Sequence, residues 1–380
     1  MTSLLRDRPA STPAMLAVFD DAATIAGALA FEAALARASA AEGAIPAAAA
    51  DAIDAACARA EFDAVELAEA AAHAGTLAIP LVARLRDLAG PEAGRHVHAG
   101  STSQDLADTV LTRQAKAGAA LIRTEARGLA EALARLAQDH AATPMLGRTL
   151  MQPAQPITFG LRAAQWLLGI DAAGRRFDRE CAGALVLQLG GAAGSLAGLS
   201  PAVAERMAGD LGLDVATAPW HARREAVAGL AASLAILVGA VGKVARDVAL
   251  MAQPELGEVF EPRVEGRGGS SAMAHKRNPT GCQVALAAAL RAPGLAATIL
   301  SGLPQEHERG LGGWQAEAPV LADLFGLAHA ALSAMRPAAE GLEVDTVAMR
   351  RNLLSAGVGE DPGHAEALVR RALDEYGKDR

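Results

Sequence analysis

The chain has 380 residues, 52% of them hydrophobic and 3% aromatic, with a formal net charge of −8. This charge argues against a nucleic-acid partner, because phosphate backbones are bound by a basic surface. The three cysteines (Cys57, Cys181 and Cys282) are far apart and lack metal-ligand spacing, so neither a disulfide framework nor a metal site is expected. They are predicted to be free thiols in a reducing cytoplasm. Residues 1–10 lack the apolar run of a signal peptide.

Alanine and leucine dominate the sequence, which favours long helices packed closely through small side chains. Residues 14–90 are predicted to form several short helices, one of them broken by Gly75 and Pro80. Residues 90–102 combine glycines, a proline and polar side chains, which predicts a loop between domains.

Longer helices are predicted after this loop. Thr102 and Asp105 have the spacing of a capping box, so a helix is predicted from there to about His140. Further helices are predicted over about 160–183 and 225–252, from 279 and from 315. The apolar run at 226–242 is short for a membrane span and has charged flanks, which favours the centre of a bundle. Alternating β-branched residues are almost absent, so the predicted fold class is all-α, a long-helix bundle.

Four polar segments interrupt these helices: segment one (98–105), segment two (147–160), segment three (268–279) and segment four (305–317). Taken alone, each has an ordinary structural explanation, namely helix capping, a proline-rich junction, a solvated loop and a charged helix end. Helices of about 30 residues would span about 45 Å, so loops at opposite ends cannot meet within one subunit. This geometry suggests an oligomer that brings ends of different subunits together.

Segment three is rich in small and polar groups that can face an anion. Its backbone N–H groups and Lys276 could hold a negative oxygen while a serine moves a proton. Its sequence, GGSSAMAHKRNP, resembles the GSSxMPxKxNP loop of the fumarase/aspartase superfamily, with Ala274 where proline is usual. HAGSTSQDLADT at 98–109 resembles that superfamily's first signature, and segment two resembles the second.

Details of these segments resemble one branch of the superfamily. The SQD form of segment one argues against the fumarase, aspartase and argininosuccinate branches. Adenylosuccinate lyases carry histidines where this chain has Leu150 and Ala74. The stretches ELGEVFEP at 255–262 and EHERGLGGWQAEA at 306–318 resemble those of the cycloisomerase branch. The resemblance implies lactonisation of 3-carboxy-cis,cis-muconate in protocatechuate (β-ketoadipate) degradation.

The resemblance also implies a homotetramer with a central helical bundle, in which three subunits contribute segments to each active site. A carboxylate of a small tricarboxylate substrate would add to a double bond of the same molecule, without a metal or organic cofactor. Ser270 would transfer the proton, while Lys276 and Asn278 stabilise the aci-carboxylate. The implied substrate-binding residues are His98, Ser101, Thr102, Ser103, Gln104, Arg148, Thr149, Gln152, Ser271, Met273, His307 and Arg309.

Three alternatives remain at this point. The first is an adenylosuccinate lyase-like enzyme or another fumarate-type lyase. The others are a non-catalytic helical scaffold and a membrane-associated helical protein, against which the charged flanks of 226–242 argue. The predicted division is an N-terminal helical domain (1–100), a central bundle (101–325) and an abbreviated C-terminal domain (326–380). The resemblance implies that residues 363–376 form a late helix of this last domain.

Overall fold

A computed structural model describes residues 4–269, 273 and 276–378. Its helices are α1 (Leu4–Asp7), α2 (Pro13–Val18), α3 (Asp21–Ala41), α4 (Ala47–Arg59), α5 (Ala64–Ala74), α6 (Ala78–Gly94), α7 (Ser103–Asp139), α8 (Phe159–Ala184), α9 (Pro201–Leu211), α10 (Glu225–Met251), α11 (Thr280–Ser301), α12 (Glu317–Glu340), α13 (Thr346–Ala356) and α14 (Ala365–Gly377). The strands are β1 (Pro144–Thr149), β2 (Gln152–Thr158), β3 (Val186–Leu187), β4 (Asp214–Val215), β5 (Val259–Phe260) and β6 (Glu343–Val344).

A bundle of α7, α8, α10, α11 and α12 forms the centre of the molecule, and its side chains make the largest apolar core. Successive helices of the bundle run in opposite directions. The helices α7, α10 and α12 begin at what we call the first end, and α8 and α11 begin at the second end. The predicted all-α class and long-helix bundle are confirmed, and α10 packs against α8, α11 and α12 as expected for a central helix.

Small side chains allow the bundle helices to approach closely. A Cβ atom on Gly242 of α10 would lie 2.6 Å from the Cβ of Ala289 on α11, so only glycine fits there. Four helical stretches are long and apolar enough to cross a membrane by length and composition: Pro13–Ala41, Glu225–Met251, Thr280–Ser301 and Trp314–Glu340. In α10 and α12, 61% of the most apolar window is buried inside the protein itself.

The N-terminal helices pack beside the first end of the bundle and form two smaller cores. In one of them, α3 packs against α7 and α9. In the other, α3 and α6 pack against α4. The predicted three-domain division stays a prediction, and its boundary at residue 325 falls inside α12.

Three local expectations need correction. The predicted helix break is present at Gly75, which has a φ of 80°, but Pro80 takes no part in it, because it lies in the first turn of α6, where a proline costs no hydrogen bond. Residues 90–94 belong to α6 beyond a kink at Gly90, which has a φ of 81°. The proline-rich junction of segment two is an antiparallel hairpin of β1 and β2, with an irregularity between Leu146 and Arg148.

Candidate active site

Segment one lies where the chain turns into α7 at the first end of the bundle. The Thr102 amide donates to Asp105 Oδ2 at 3.0 Å, as a capping box requires. His98 precedes this turn, and its Nδ1 lies 2.5 Å from Glu32 Oε1. Ser101 and Ser103 are partly exposed, so segment one presents hydroxyl groups at a helix N-terminus.

The buried carboxylate of Asp105 holds segment one against the glycine-rich stretch at 190–198. The amides of Gly190 and Gly191 donate to its two oxygens at 2.9 Å each. His221 Nε2 lies 2.7 Å from Asp105 Oδ1. Every contact is charge-assisted, and such hydrogen bonds are shorter and stronger than neutral ones. The conformation of segment one is therefore determined by elements far away in sequence.

Gln104 has its side chain fully buried behind segment one. Its Nε2 donates to Asp108 Oδ2 at 3.2 Å and to the backbone carbonyl of His221 at 3.0 Å. The amide nitrogen that sequence reasoning assigned to substrate is thus bonded within the protein. The hydroxyl of Thr102 stays partly exposed in front of it.

Segment four meets segment one at the first end. The Arg309 guanidinium donates to the hydroxyl of Thr102. His307 and Arg309 are both exposed, and His307 has a φ of 47°, in the left-handed region. The Leu311 amide donates to Glu306 at 2.9 Å and lowers the pKa of that carboxyl. The structure therefore brings together His98, the hydroxyls of segment one and Arg309.

A buried ion cluster supports this end from behind. Arg224 forms two hydrogen bonds to Asp108 at 2.9 Å and also donates to Glu317, and all three side chains are almost completely buried. The Arg224 guanidinium also lies 4.7 Å from the Trp220 ring centroid. Burial alone would lower the pKa of Arg224, but the two carboxylates raise it above its usual value. The cluster ties α7 and α12 to the start of α10.

Segment two is held at the second end by another ion pair. Arg148 Nη1 and Nη2 donate to the two oxygens of Glu258 at 2.9 and 2.7 Å. Asn352 also donates to Glu258 Oε1 at 2.9 Å. The bidentate geometry fixes the guanidinium plane. Arg148 therefore positions the base of the hairpin, although sequence reasoning assigned it to substrate.

The hairpin tip carries the other residues predicted from segment two. Thr149 and Gln152 are a cross-strand pair, and both are exposed. Between them, Leu150 and Met151 have φ values of 51° and 66° and exposed fractions of 96% and 71%. Two non-glycine residues with positive φ at a two-residue turn are costly. The turn presents two apolar side chains and no titratable group.

The structure describes only part of segment three. Ser270, Ser271, Ala274 and His275 lie outside the described residues. Among the described residues, the backbone N–H of Asn278 donates to the backbone carbonyl of Gly268 at 2.9 Å, which closes the base of the loop.

The cationic side chains around the base of segment three differ in whether they are paired with a carboxylate. Lys276 is exposed and lines a cavity of about 550 Å³ next to Arg263 and Arg267. Arg277 is instead paired with Glu343 at 2.8 and 2.9 Å, and this hydrogen bonding lowers the pKa of Glu343. The exposed cation of Lys276 can thus face an anion. Met273 is also exposed.

The described site residues fall into two separated groups. Segments one and four lie at the first end, whereas segment two and the described base of segment three lie at the second. Between them, α7 has 37 residues, which corresponds to about 55 Å. One copy of the chain therefore does not bring all four segments together, as expected from the helix lengths.

Several side chains that organise these segments were missed from the sequence. Glu32 and Glu258 contact the predicted site residues His98 and Arg148 across 66 and 110 positions. The His221 side chain contacts Asp105 across 116 positions. Only Glu258 lay in a motif that sequence reasoning had used. Within the described residues, no group of three or more His, Cys, Asp or Glu side chains could hold a metal ion.

The chain is similar in sequence and in structure to known proteins. A family model described as lyase matches residues 8–294. The chain is 48% identical to a 3-carboxy-cis,cis-muconate cycloisomerase of Bradyrhizobium diazoefficiens, over 96% of this chain and 86% of that protein. It is 41% identical to a nitrosuccinate lyase of Streptomyces davaonensis, over 93% of this chain and 77% of that protein. The crystal structure of 3-carboxy-cis,cis-muconate lactonizing enzyme from Pseudomonas putida superposes with a TM-score of 0.87 and 41% identity, over 99% of this chain and 88% of that one.

Proposed function

The chain belongs to the lyase family of the fumarase/aspartase superfamily, and from this premise we propose that it is an enzyme that lactonises 3-carboxy-cis,cis-muconate. The reaction is an isomerisation. One carboxylate of the triacid adds to the conjugated double bond of the same molecule, and the adjacent carbon takes up a proton to give the γ-lactone. Bound in a reactive conformation, this ring closure gains the rate advantage of an intramolecular step.

The observation that carries this proposal is the hairpin tip of segment two. Leu150 and Met151 occupy it, so the tip offers no imidazole to protonate a leaving nitrogen. Ring closure releases no leaving group and needs no such acid. The 48% identity to a cycloisomerase supports the same choice. Adenylosuccinate-type cleavage, which expels a basic nitrogen, is less well served by this tip.

Segment three would act on the negative charge that develops during addition. The charge resides on a carbon beside a second carboxylate, as an aci-carboxylate. The exposed ammonium of Lys276 and the polar group of Asn278 are suited to stabilise it. Ser270 would transfer the proton. Removal of such a group typically costs about 10²–10⁴-fold in rate.

The first end would bind the carboxylates of the substrate. His98, Arg309 and the hydroxyls of Ser101, Thr102 and Ser103 provide cationic and neutral donors there. Thr149, Gln152, Ser271, Met273 and His307 would complete the binding surface, with Gln104 and Arg148 acting through the conformation of their segments. No metal or organic cofactor is required by this addition.

A complete site would then need several copies of the chain, because its two groups lie at opposite ends of the bundle. The helices α10 and α11 carry exposed apolar side chains, among them Ile236, Leu290 and Leu300. Leu290 has an exposed fraction of 85%. A homotetramer whose interface covers these side chains would also bring first and second ends together. We propose this assembly in the cytoplasm, with no nucleic-acid or membrane partner.

The direct test is an assay with 3-carboxy-cis,cis-muconate. We expect loss of diene absorbance and a γ-lactone identified by NMR. The Ser270→Ala variant should lose about 10²-fold or more of the activity, whereas Ser301→Ala, which changes an exposed serine at the end of α11, should not. Rapid adenylosuccinate cleavage without lactone formation would contradict the proposal.

Nitrosuccinate cleavage is the second candidate, favoured by the 41% identity to a nitrosuccinate lyase. Nitrite is a weak base and leaves without protonation, so a tip without an acid also suits this reaction. The same protein should be offered nitrosuccinate, with nitrite release measured. The larger kcat/KM decides between the two substrates.

Shared sites can be tested by mixing two inactive variants. Thr102→Ala damages the first end and Lys276→Ala the second. If the site is shared, refolding the two chains together restores part of the activity, because some sites receive intact segments from different copies. Mixtures that stay inactive would argue for a site within one chain.

A further inference from the structure

Glu32 is a buried carboxylate in the middle of α3, outside all four polar segments. Its side chain has no solvent exposure, whereas that of His98 is 13% exposed. The two meet at 2.5 Å, between Glu32 Oε1 and His98 Nδ1. Burying an ionised carboxylate is expensive unless it is paired. The contact with His98 therefore links the N-terminal helices directly to segment one.

The backbone of His98 is held in an uncommon conformation. Its φ is 64°, in the left-handed region that residues other than glycine rarely adopt. Such a conformation is unfavourable and persists only where the surroundings enforce it. A glycine at this position would avoid the cost but would lose the ring. The strain thus accompanies a side chain that points at Glu32.

The pairing determines which ring nitrogen is free. An ionised carboxylate only accepts hydrogen bonds, so Nδ1 of His98 carries a proton directed at Glu32. Nε2 lies on the opposite side of the ring. Because Nδ1 faces a fully buried carboxylate, Nε2 is the ring nitrogen that remains to meet a ligand.

The second carboxylate oxygen of Glu32 distinguishes the Glu32–His98 pair from the contacts made by two other buried carboxylates. Asp105 and Glu258 receive hydrogen bonds on both carboxylate oxygens. Oε2 of Glu32 is buried and has no hydrogen-bond partner among the described residues. A carboxylate retained only for stability would be better satisfied. Here the negative charge is directed to a single partner, His98.

We propose that Glu32 is a positioning residue that holds His98 so that its Nε2 binds a carboxylate of the substrate. In the protonated ring both nitrogens donate, Nδ1 to Glu32 and Nε2 to the substrate. The Glu32 charge stabilises this arrangement. The inference rests on the proposed function, because it assumes an anionic substrate at the first end.

Steady-state kinetics of Glu32→Gln test this role. Loss of a charge-assisted bond to substrate should raise KM about 10- to 100-fold, with a smaller change in kcat. The matched control is Glu42→Gln, which removes an ion pair to Arg206 at the end of the same helix and should leave KM unchanged. In a His98→Asn background, Glu32→Gln should have little further effect, because the two residues act as one unit.

Nitrogen-15 NMR of the His98 ring gives a readout that needs no turnover, with His98→Asn used to assign the signals. We expect a protonated, hydrogen-bonded Nδ1 in the unaltered protein and a shifted signal in Glu32→Gln. An unchanged KM in Glu32→Gln would overturn the proposal. So would a double variant whose rise in KM equals the product of the rises in Glu32→Gln and His98→Asn. If Glu32→Gln does not fold, an unprotonated Nδ1 in the unaltered protein would overturn it. Failure to turn over the muconate would count against the proposed function, while the NMR result would still test whether Glu32 holds Nδ1 of His98.

Discussion

Single buried side chains determine the geometry of the first end. Asp105 is the clearest example, since it joins the start of α7 to the glycine-rich stretch at 190–198 and to His221. The sequence predicted Asp105 as half of a capping box, because that bond spans three residues. Its contacts with Gly190 and His221 span 85 and 116 residues and leave no local signal.

Asp105→Asn should destabilise the protein and disturb segment one. The new amide would place N–H donors against donors that now face an oxygen, so we expect a loss of about 2 kcal/mol or more in the free energy of unfolding. Urea unfolding measures it. Asp210→Asn is the control, because Asp210 forms an exposed pair with Arg37. That variant should stay within about 0.5 kcal/mol, and equal effects of the two changes would refute the expectation.

The buried ring of His329 should make the stability of the protein depend on pH. Its Nδ1 lies 2.8 Å from the Thr12 hydroxyl, and burial lowers the pKa of the ring. The unfolded chain therefore binds more protons than the folded one below about pH 6.5. Stability should be fully present above that pH and should be lost as the pH falls toward the lowered folded pKa.

The check is urea unfolding at about pH 7.5 and about pH 5.5. In His329→Gln the drop in unfolding free energy between the two should be smaller than in the unaltered protein. His140, whose pKa is also lowered by burial, retains its share in the variant. Identical drops in both proteins would rule out His329 as a contributor.

At the scale of elements, helices were predictable and the hairpin was not. The bounds of α10 lie within one residue of the prediction, because a continuous apolar pattern defines this helix. Those of α14 lie within two residues of the helix that the family resemblance implied. Segment two contains Pro153 and Pro156, which argue against a strand. They are tolerated because β1 and β2 form an isolated pair, so each strand has one edge that needs no partner.

Arg224 predicts how strongly the bundle helices depend on one cation. Arg224→Met leaves the carboxylates of Asp108 and Glu317 buried without their partner, which should cost about 3–5 kcal/mol. Arg223→Met is the matched control, since Arg223 is exposed and its partners among the described residues are exposed Glu225 and a backbone carbonyl. Unfolding free energies from urea titration compare the two, and a loss below about 1 kcal/mol for Arg224→Met would contradict the cluster's role.

For the whole molecule, assembly is the property on which the proposed site depends. Helix lengths alone indicated that the four segments cannot meet in one chain, and α7 bears this out. The contacts between copies could not be derived from the sequence in the same way. They depend on which apolar side chains remain exposed after folding, and alanine-rich helices look alike in composition.

Leu290→Asp should prevent assembly. A charge at position 290 would be buried without a partner in any interface that covers it. Analytical ultracentrifugation should show a shift from the proposed tetramer to smaller species, together with loss of activity. Val65→Asp, which alters an exposed apolar residue on α5, should leave both unchanged. An active monomer would refute the shared site.

The three cysteines have a practical consequence for such measurements. All are buried, and burial raises the pKa of both Cys57 and Cys181 to about 12 and that of Cys282 as well. Maleimides react with thiolates at accessible sites, so the natural protein should be almost inert to them. A cysteine introduced at the exposed Met151 would then be the single labelled position. Fluorophores placed there would report the spacing of hairpin tips between copies without any prior removal of natural thiols.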